Sequence, residues 1–100
     1  MSHTIVLVQF SQNKNSRTYA DYPTVPKAMD GIVKLYEARL KELNPRMGNI
    51  TYDIKHLVAY IDQLPDLSAL VLDKKTRQYK PHGKDWIKKE VFSQLQQMAR

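Results

Sequence analysis

The feature that most constrains the fold is a stretch near the start of the chain, residues 2–10, S-H-T-I-V-L-V-Q-F, with the apolar run I-V-L-V at its centre. Its β-branched residues and its lack of Gly and Pro predict a β-strand, across which side chains alternate. The two faces are His3, Ile5, Leu7 and Gln9, and Thr4, Val6, Val8 and Phe10. Both are apolar, whereas a strand of a small antiparallel sheet usually leaves one face polar. We therefore expect helices to cover one face and a second layer, such as another copy of the molecule, to cover the other.

Length and composition predict one intracellular domain. One hundred residues fit a single domain, 1–100, near the size at which buried area is only just sufficient for stability. The absence of Cys excludes a disulfide framework and thiolate metal sites. No apolar run approaches the roughly 20 residues of a membrane span, and the first residues lack the pattern of a signal peptide. We expect a soluble protein that does not associate with membranes.

A hairpin is predicted for the first quarter of the chain. The polar stretch 11–16 is turn-forming, and R-T-Y-A-D-Y at 17–22 has the composition of a second strand. The alternation of side chains places Tyr19 and Tyr22 on opposite faces of that strand.

A long helix follows the hairpin. Thr24 is suited to the N-cap, and apolar residues recur at helical spacing to about Leu43. Gly31 inside the helix costs roughly 1 kcal/mol of propensity, which indicates close packing there. Residues 44–45, Asn-Pro, end the helix, and 46–49 form a loop. The predicted buried stripe is Val25, Ala28, Met29, Ile32, Val33, Tyr36, Leu40 and Leu43.

The second half of the chain predicts a helix, a hairpin and a final helix. Asp53 is a good cap for the shorter helix, and strands at 67–72 and 77–80 flank a basic turn. Residues 81–83, Pro-His-Gly, break the chain before a helix from about Asp85. The predicted inward residues are Ile54, Leu57, Val58, Ile61 and Leu64 in the first helix, and Trp86, Ile87, Val91, Leu95 and Met98 in the second.

The predicted order of elements is therefore ββααββα, a single α+β unit with four strands and three helices on one face of the sheet. The other face would then be exposed, although the first and third strands place apolar residues on it. Such a patch typically marks an interface.

Motifs for catalysis or metal binding are weak. The three His residues lack metal-type spacing, and Asp53 with His56, one helical turn apart, is better explained as a cap and a surface residue. Ser68 lies in an apolar strand with no base paired to it by sequence, and no glycine-rich phosphate loop is present. We expect neither an enzyme nor a bound metal or cofactor.

Basic residues form two groups within a chain of formal net charge +6. Combined with an exposed aromatic such as Tyr79 or Trp86, they would make a direct RNA-binding surface, which is the alternative function. The simpler interpretation, which we favour, is that Trp86 packs in the core and the charges form a solvated face. The two groups are Lys74, Lys75, Arg77 and Lys80, and Lys84, Lys88 and Lys89.

Thr18 has an acidic residue, Asp21, three positions after it, the pattern that acidophilic kinases favour. A phosphate there would add nearly two negative charges beside an interface and oppose association. The simpler interpretation is a strand Thr selected for its β-branching, and it has the greater weight.

Seven segments together resemble the enhancer of rudimentary homologue family over essentially the whole chain. They are specific as a set rather than singly. They are S-H-T-I-V-L-V-Q at 2–9, R-T-Y-A-D-Y at 17–22, M-D-G-I-V-K-L-Y-E at 29–37, N-P at 44–45, I-T-Y-D-I at 50–54, D-L-S-A-L-V at 66–71 and Y-K-P-H-G-K-D-W-I-K at 79–88.

The resemblance implies a four-stranded antiparallel sheet with three helices, and a homodimer formed through the sheet with Ile5 and Leu7 in its interface. It also implies a nuclear adaptor, present in some cases also in the cytoplasm, without catalytic activity. Its grooves would bind short segments of RNA-processing and gene-regulatory proteins, in splicing, microRNA processing, RNA elimination, transcription and the cell cycle.

The chain departs from the family pattern at a second phosphorylation site and in its charge. Thr18 matches a position regarded as a casein kinase II site in relatives, whereas a second such site at Thr24 is in doubt because Lys27 replaces the acidic residue. The chain is also more basic than relatives that are nearer neutral.

Overall fold

The computed structural model of the chain describes residues 2–46 and 53–98, with side chains as far as Gln96. The predicted order ββααββα is confirmed. The loop predicted at 47–49 and the inward side chain predicted at Met98 lie outside this description. The elements are β1 (Thr4–Gln9), one turn of 3-10 helix (Lys14–Ser16), β2 (Arg17–Tyr22), α1 (Val25–Leu43), α2 (Ile54–Gln63), β3 (Asp66–Asp73), β4 (Gln78–His82) and α3 (Lys84–Met98).

The four strands form one antiparallel sheet in the order β2-β1-β3-β4, so the predicted α+β class is confirmed. The two predicted hairpins, β1–β2 and β3–β4, are joined through pairing of β1 with β3. Ile5 on β1 is opposite Asp21 on β2 and Leu70 on β3, and Leu70 is opposite Pro81 on β4. The apolar first strand therefore lies inside the sheet, and β2 and β4 are its edges.

Helices cover one face of the sheet. Along β1, Thr4, Val6 and Val8 are buried, whereas Ile5 and Leu7 remain partly exposed. The core formed on the covered face stabilises the fold through burial of apolar area. Its buried members are Val6, Val8, Ala28, Met29, Ile32, Val33, Tyr36, Leu57, Ile61, Leu64, Leu67, Ala69, Ile87 and Val91.

Both predicted N-caps are confirmed. The Thr24 hydroxyl accepts a hydrogen bond from the backbone N–H of Lys27 at 3.2 Å, and the Asp53 carboxylate caps α2 in the same way. The buried stripe of α1 stops at Leu40, which packs against the core. Leu43, predicted to be buried, is 61% exposed, because α1 continues one turn beyond the part that packs on the core.

Gly31 lies against the ring of Tyr22, the last residue of β2. A Cβ atom at position 31 would lie 2.8 Å from Cε1 of Tyr22, and closer still to its hydroxyl oxygen. The close packing predicted from a glycine in mid-helix is therefore confirmed, and its cause is an aromatic side chain from the sheet.

The fourth strand differs from its prediction at both ends. It runs over Gln78–His82 rather than 77–80, so that Pro81 and His82 continue the strand. β4 is an edge strand, where the missing N–H of proline interrupts no pairing with a further strand. Arg77, predicted to begin the strand, has a φ of 59° and belongs to the preceding turn.

Candidate functional site

The face of the sheet opposite the helices is apolar along its centre. Ile5 is opposite Leu70 of β3, Leu7 is opposite Ser68, and Leu72 follows on the same face beside His3. Aromatic residues from the edge strands flank them. The leucines and Ile5 are partly exposed in the single chain, and Tyr19 is 70% exposed. Contiguous apolar surface of this kind marks an interaction site. We call it the outer face, and its members are Ile5, Leu7, Tyr19, Leu70, Leu72, Tyr79 and Pro81.

His3 links the two edge strands at one end of the outer face. Its Nδ1 lies 2.7 Å from the hydroxyl oxygen of Tyr79 on β4, and its Nε2 lies 3.1 Å from Oδ2 of Asp21 on β2. The backbone N–H of Leu72 donates to the His3 carbonyl at 2.9 Å. These contacts fix side chains from both edges of the sheet relative to one another.

Gln9 and Arg17 form a second polar group at the other end of the outer face. Arg17 Nε–H donates to Oε1 of Gln9 at 2.8 Å, and the Gln9 amide donates to the Ser11 carbonyl at 2.8 Å. These contacts leave Gln9 only 7% exposed, with both polar atoms of its side chain bonded. The outer face thus has an apolar centre between hydrogen-bonded polar ends, an arrangement typical of protein–protein interfaces.

Thr18 and Asp21, the residues of the kinase-type motif, lie on opposite faces of β2. Thr18 is opposite Val8 and therefore on the helix side, whereas Asp21 is opposite Ile5 on the outer face. Both are exposed, because β2 is an edge strand. Thr24, the second position considered, is the N-cap of α1, and its hydroxyl is already engaged.

The two groups of basic residues differ in their surroundings. Lys80 forms an ion pair with Asp73 at 2.9 Å, and the hydrogen bond from Lys80 lowers the pKa of the Asp73 carboxyl. Lys88 lies 2.7 Å from Oδ1 of Asp62, and this hydrogen bond raises the pKa of its ammonium group. Lys84 donates to the carbonyls of Asp62 and Leu64. Three of the seven cations in the two groups, Lys80, Lys84 and Lys88, therefore already have partners within the chain, which leaves fewer cations for the alternative RNA-binding surface.

The ammonium group of Lys84, at the start of α3, donates hydrogen bonds to backbone carbonyls at the carboxyl end of α2. Helix carbonyls at this end lack intrahelical partners and carry partial negative charge, so an ammonium group there is stabilising. We expect Lys84→Met to lower the free energy of unfolding by about 1–2 kcal/mol. Urea unfolding followed by circular dichroism measures the change. The matched control is Lys89→Met, on the exposed side of α3, with an expected change below about 0.5 kcal/mol. Equal losses in the two variants would contradict this role.

The aromatic residues considered for RNA stacking are also engaged. Trp86 is partly buried, packs against the core rather than within it, and stacks on His82 at 4.1 Å between ring centroids. Tyr79 is 41% exposed, but it lies on the outer face and contacts His3.

Asp53 and His56, the weak metal candidate, form a reciprocal helix cap. The Asp53 carboxylate accepts from the N–H of Lys55 at 3.2 Å, and the Asp53 N–H donates to Nδ1 of His56 at 3.4 Å. Within residues 2–46 and 53–98 no three His, Asp or Glu side chains cluster as metal ligands. No helix in the same ranges is long and apolar enough to cross a membrane.

An open groove of about 860 Å³ lies between α1 and α2, and it was not predicted from the sequence. Phe10 and Leu43 line it together with Tyr36 and Tyr60. Burial raises the pKa of the Tyr60 hydroxyl. The sequence placed Phe10 on the same face as Val6 and Val8. Phe10 does lie on the helix side, where it lines this groove, but β1 ends at Gln9 and Phe10 is 43% exposed rather than part of the core. The only sequence signal for the groove was the pair of large apolar residues at the ends of elements.

These features define a small α+β domain with helices on one side of an antiparallel sheet and an apolar, polar-ended surface on the other. The sequence matches the family described as Enhancer of rudimentary over residues 1–100. It is 48% identical to an enhancer of rudimentary homolog of Dictyostelium discoideum, over all of both chains. It is also 48% identical to the protein enhancer of rudimentary of Drosophila virilis, over 99% of this chain and 95% of the relative. It is 48% identical to an enhancer of rudimentary homolog of Arabidopsis thaliana, over 97% of this chain and 89% of the relative. The chain belongs to the enhancer of rudimentary family, which is not a known enzyme family.

Proposed function

We propose that this protein is a homodimeric nuclear adaptor that acts by binding alone. Two copies associate through their outer faces, and the dimer binds short segments of RNA-processing and gene-regulatory proteins. The observation that carries the proposal is the apolar outer face, left open by a single chain, on a member of this family matched over residues 1–100.

The dimer interface is centred on Ile5 and Leu7, with Leu70 and Leu72 beside them. A stable interface buries roughly 800 Å² per partner, and four strands offer a surface of that order. The polar ends formed by His3 and by Gln9 provide hydrogen-bonding groups at its rim. A dimer of this kind is isologous, so that each copy presents the same residues to the other.

Partner segments bind in the grooves that flank the interface, as extended or helical peptides. Because such segments become ordered on binding, each contact contributes modest net affinity, which suits an adaptor that exchanges partners. Phosphorylation of the exposed Thr18 would add nearly two negative charges to edge strand β2, on its helix side rather than on the outer face.

The adaptor proposal is tested by affinity purification from RNase-treated nuclear extract, followed by mass spectrometry. The baits are the wild type, the interface variant Ile5→Arg/Leu7→Arg and the control Gln12→Arg/Gln96→Arg, which adds the same charge at exposed sites away from the outer face. We expect RNA-processing proteins to be enriched by the wild type and the control, and at least tenfold less by the interface variant. Failure of the wild type to enrich any such protein would contradict the adaptor function. Equal enrichment by all three baits would show that partners do not need the dimer.

A further inference from the structure

The hairpin formed by β3 and β4 extends past the rest of the sheet. Pairing of β1 with β3 ends at Thr4 and Val71, followed by one hydrogen bond from Leu72 to His3. Pairing of β3 with β4 continues to Asp73 and Gln78, beyond which a four-residue turn reverses the chain. The end of the hairpin is therefore open to solvent on both faces, and residues 74–80 are all exposed.

Positive charge at this end is uncompensated. Lys74, Lys75 and Arg77 stand within four positions, and among the described residues none of their side chains lies within 4.0 Å of a carboxylate. The nearest acidic residue in sequence, Asp73, is already occupied. Its carboxylate pairs with Lys80 at 2.9 Å and accepts from the Lys75 backbone N–H at 2.9 Å.

Hydrogen bonds within the turn fix the backbone that carries these three side chains. Arg77 has a φ of 59°, and its N–H donates to the Asp73 carbonyl at 2.7 Å. The Thr76 hydroxyl accepts from the N–H of Gln78 at 3.3 Å. The loop is thus closed by its own hydrogen bonds and presents cations without having to become ordered first.

We propose that this hairpin end, residues Lys74, Lys75 and Arg77, binds the phosphate backbone of single-stranded nucleic acid. The site offers charge but no apolar pocket, which suits a flexible chain of phosphates. Protein–protein interfaces typically have an apolar centre, which this exposed basic turn does not offer. The binding is independent of base sequence, because phosphate contacts carry no sequence information. It goes beyond the adaptor function, since it brings RNA directly to a protein that also binds RNA-processing factors.

Fluorescence anisotropy with labelled twelve-nucleotide oligo(U) and oligo(dT) tests the proposal on the full chain. We expect the two probes to bind within about threefold of each other, because phosphate contacts do not distinguish RNA from DNA. Three phosphate contacts predict a slope of about −2 for log affinity against log salt, or roughly a 20-fold loss between 50 and 200 mM. A slope near zero would overturn the proposal.

Two triple variants separate a local site from general charge. Lys74→Ala/Lys75→Ala/Arg77→Asn removes the hairpin cations, and Asn tolerates the positive φ at position 77. The control, Lys27→Ala/Lys41→Ala/Lys55→Ala, removes three exposed cations on α1 and α2. Each variant lowers the formal net charge from +6 by three, to +3. We expect at least a tenfold loss for the hairpin variant at 50 mM salt and less than twofold for the control.

Equal losses in both variants, or wild-type affinity in the hairpin variant, would overturn the assignment of this site. A labelled twelve-residue oligoglutamate serves as the acidic-peptide probe. Tighter binding of that peptide than of oligo(U) would also overturn the proposal, in favour of an acidic protein partner.

Discussion

The Ile5→Arg/Leu7→Arg variant is expected to be a folded monomer. Both residues lie at the centre of the outer face on strand β1, and their side chains point away from the core. In a dimer formed through this face, the substitutions place four unpaired guanidinium groups in a buried interface. Removing one charge from water without a partner costs several kcal/mol, so that four together exceed the roughly 8 kcal/mol that holds a dimer with micromolar affinity. Light scattering at several concentrations measures the mass, and circular dichroism checks the fold.

Two further variants make this result interpretable. Gln12→Arg/Gln96→Arg carries the same added charge at exposed positions and should keep the mass of the wild type. Ile5→Ala/Leu7→Ala should weaken dimerisation without abolishing it, because it removes apolar contact but adds no charge. An arginine variant that keeps the dimer mass at micromolar concentration would refute the assignment of the interface to this face.

Gly31→Ala is expected to destabilise the protein, although alanine is the better helix former. Propensity alone predicts a gain of about 1 kcal/mol in the free energy of unfolding. The added methyl group would lie 2.8 Å from Cε1 of Tyr22, inside van der Waals contact, so the ring must move. Overpacking of this kind costs typically 1–3 kcal/mol, and we expect a net loss of about 1–2 kcal/mol. Urea unfolding at one fixed protein concentration gives the value.

A double-mutant cycle isolates the contact with Tyr22. In a Tyr22→Ala background the obstructing ring is gone, so Gly31→Ala should become stabilising by up to about 1 kcal/mol. Ala38→Gly, at an exposed position of the same helix, calibrates the propensity difference. If Gly31→Ala stabilises the unaltered protein, the proposed contact between Gly31 and Tyr22 does not determine the packing of α1 on β2.

Local patterns were sufficient to predict the elements of this fold. Caps such as Thr24 and Asp53 act within one helical turn, and alternation along β1 is a property of neighbouring residues. The buried helix residues followed from periodicity for the same reason. Gly31 shows that a residue with poor local propensity can itself indicate a tertiary contact.

The incorrect predictions concern properties set by distant parts of the chain. Pro81 continues β4 because that strand is at the edge of the sheet, and the order of strands in a sheet cannot be predicted from local composition. Leu43 fits the helical period of α1, yet it is exposed because the core ends before the helix does. Phe10 lies on the predicted helix side, but it is exposed because it follows the last paired residue of β1.

The candidate site was predictable only in part. The apolar character of Ile5 and Leu7 is visible in the sequence, and the structure adds Leu70 and Leu72 beside them. The roles of individual cations were not predictable, because Lys84 bonds a carbonyl twenty residues earlier in the chain. The contact of His3 with Tyr79 spans seventy-six positions and depends on the strand order.

The most direct test of the account is the solution mass of the wild-type protein, measured by light scattering from low to high micromolar concentration. A dimer formed through the outer face has twice the chain mass of 11.7 kDa, and we expect this mass to be maintained on dilution into the low micromolar range. A mass of 11.7 kDa at every concentration would contradict it, because the outer face would then remain open in the isolated protein and the adaptor would have no dimer to act through.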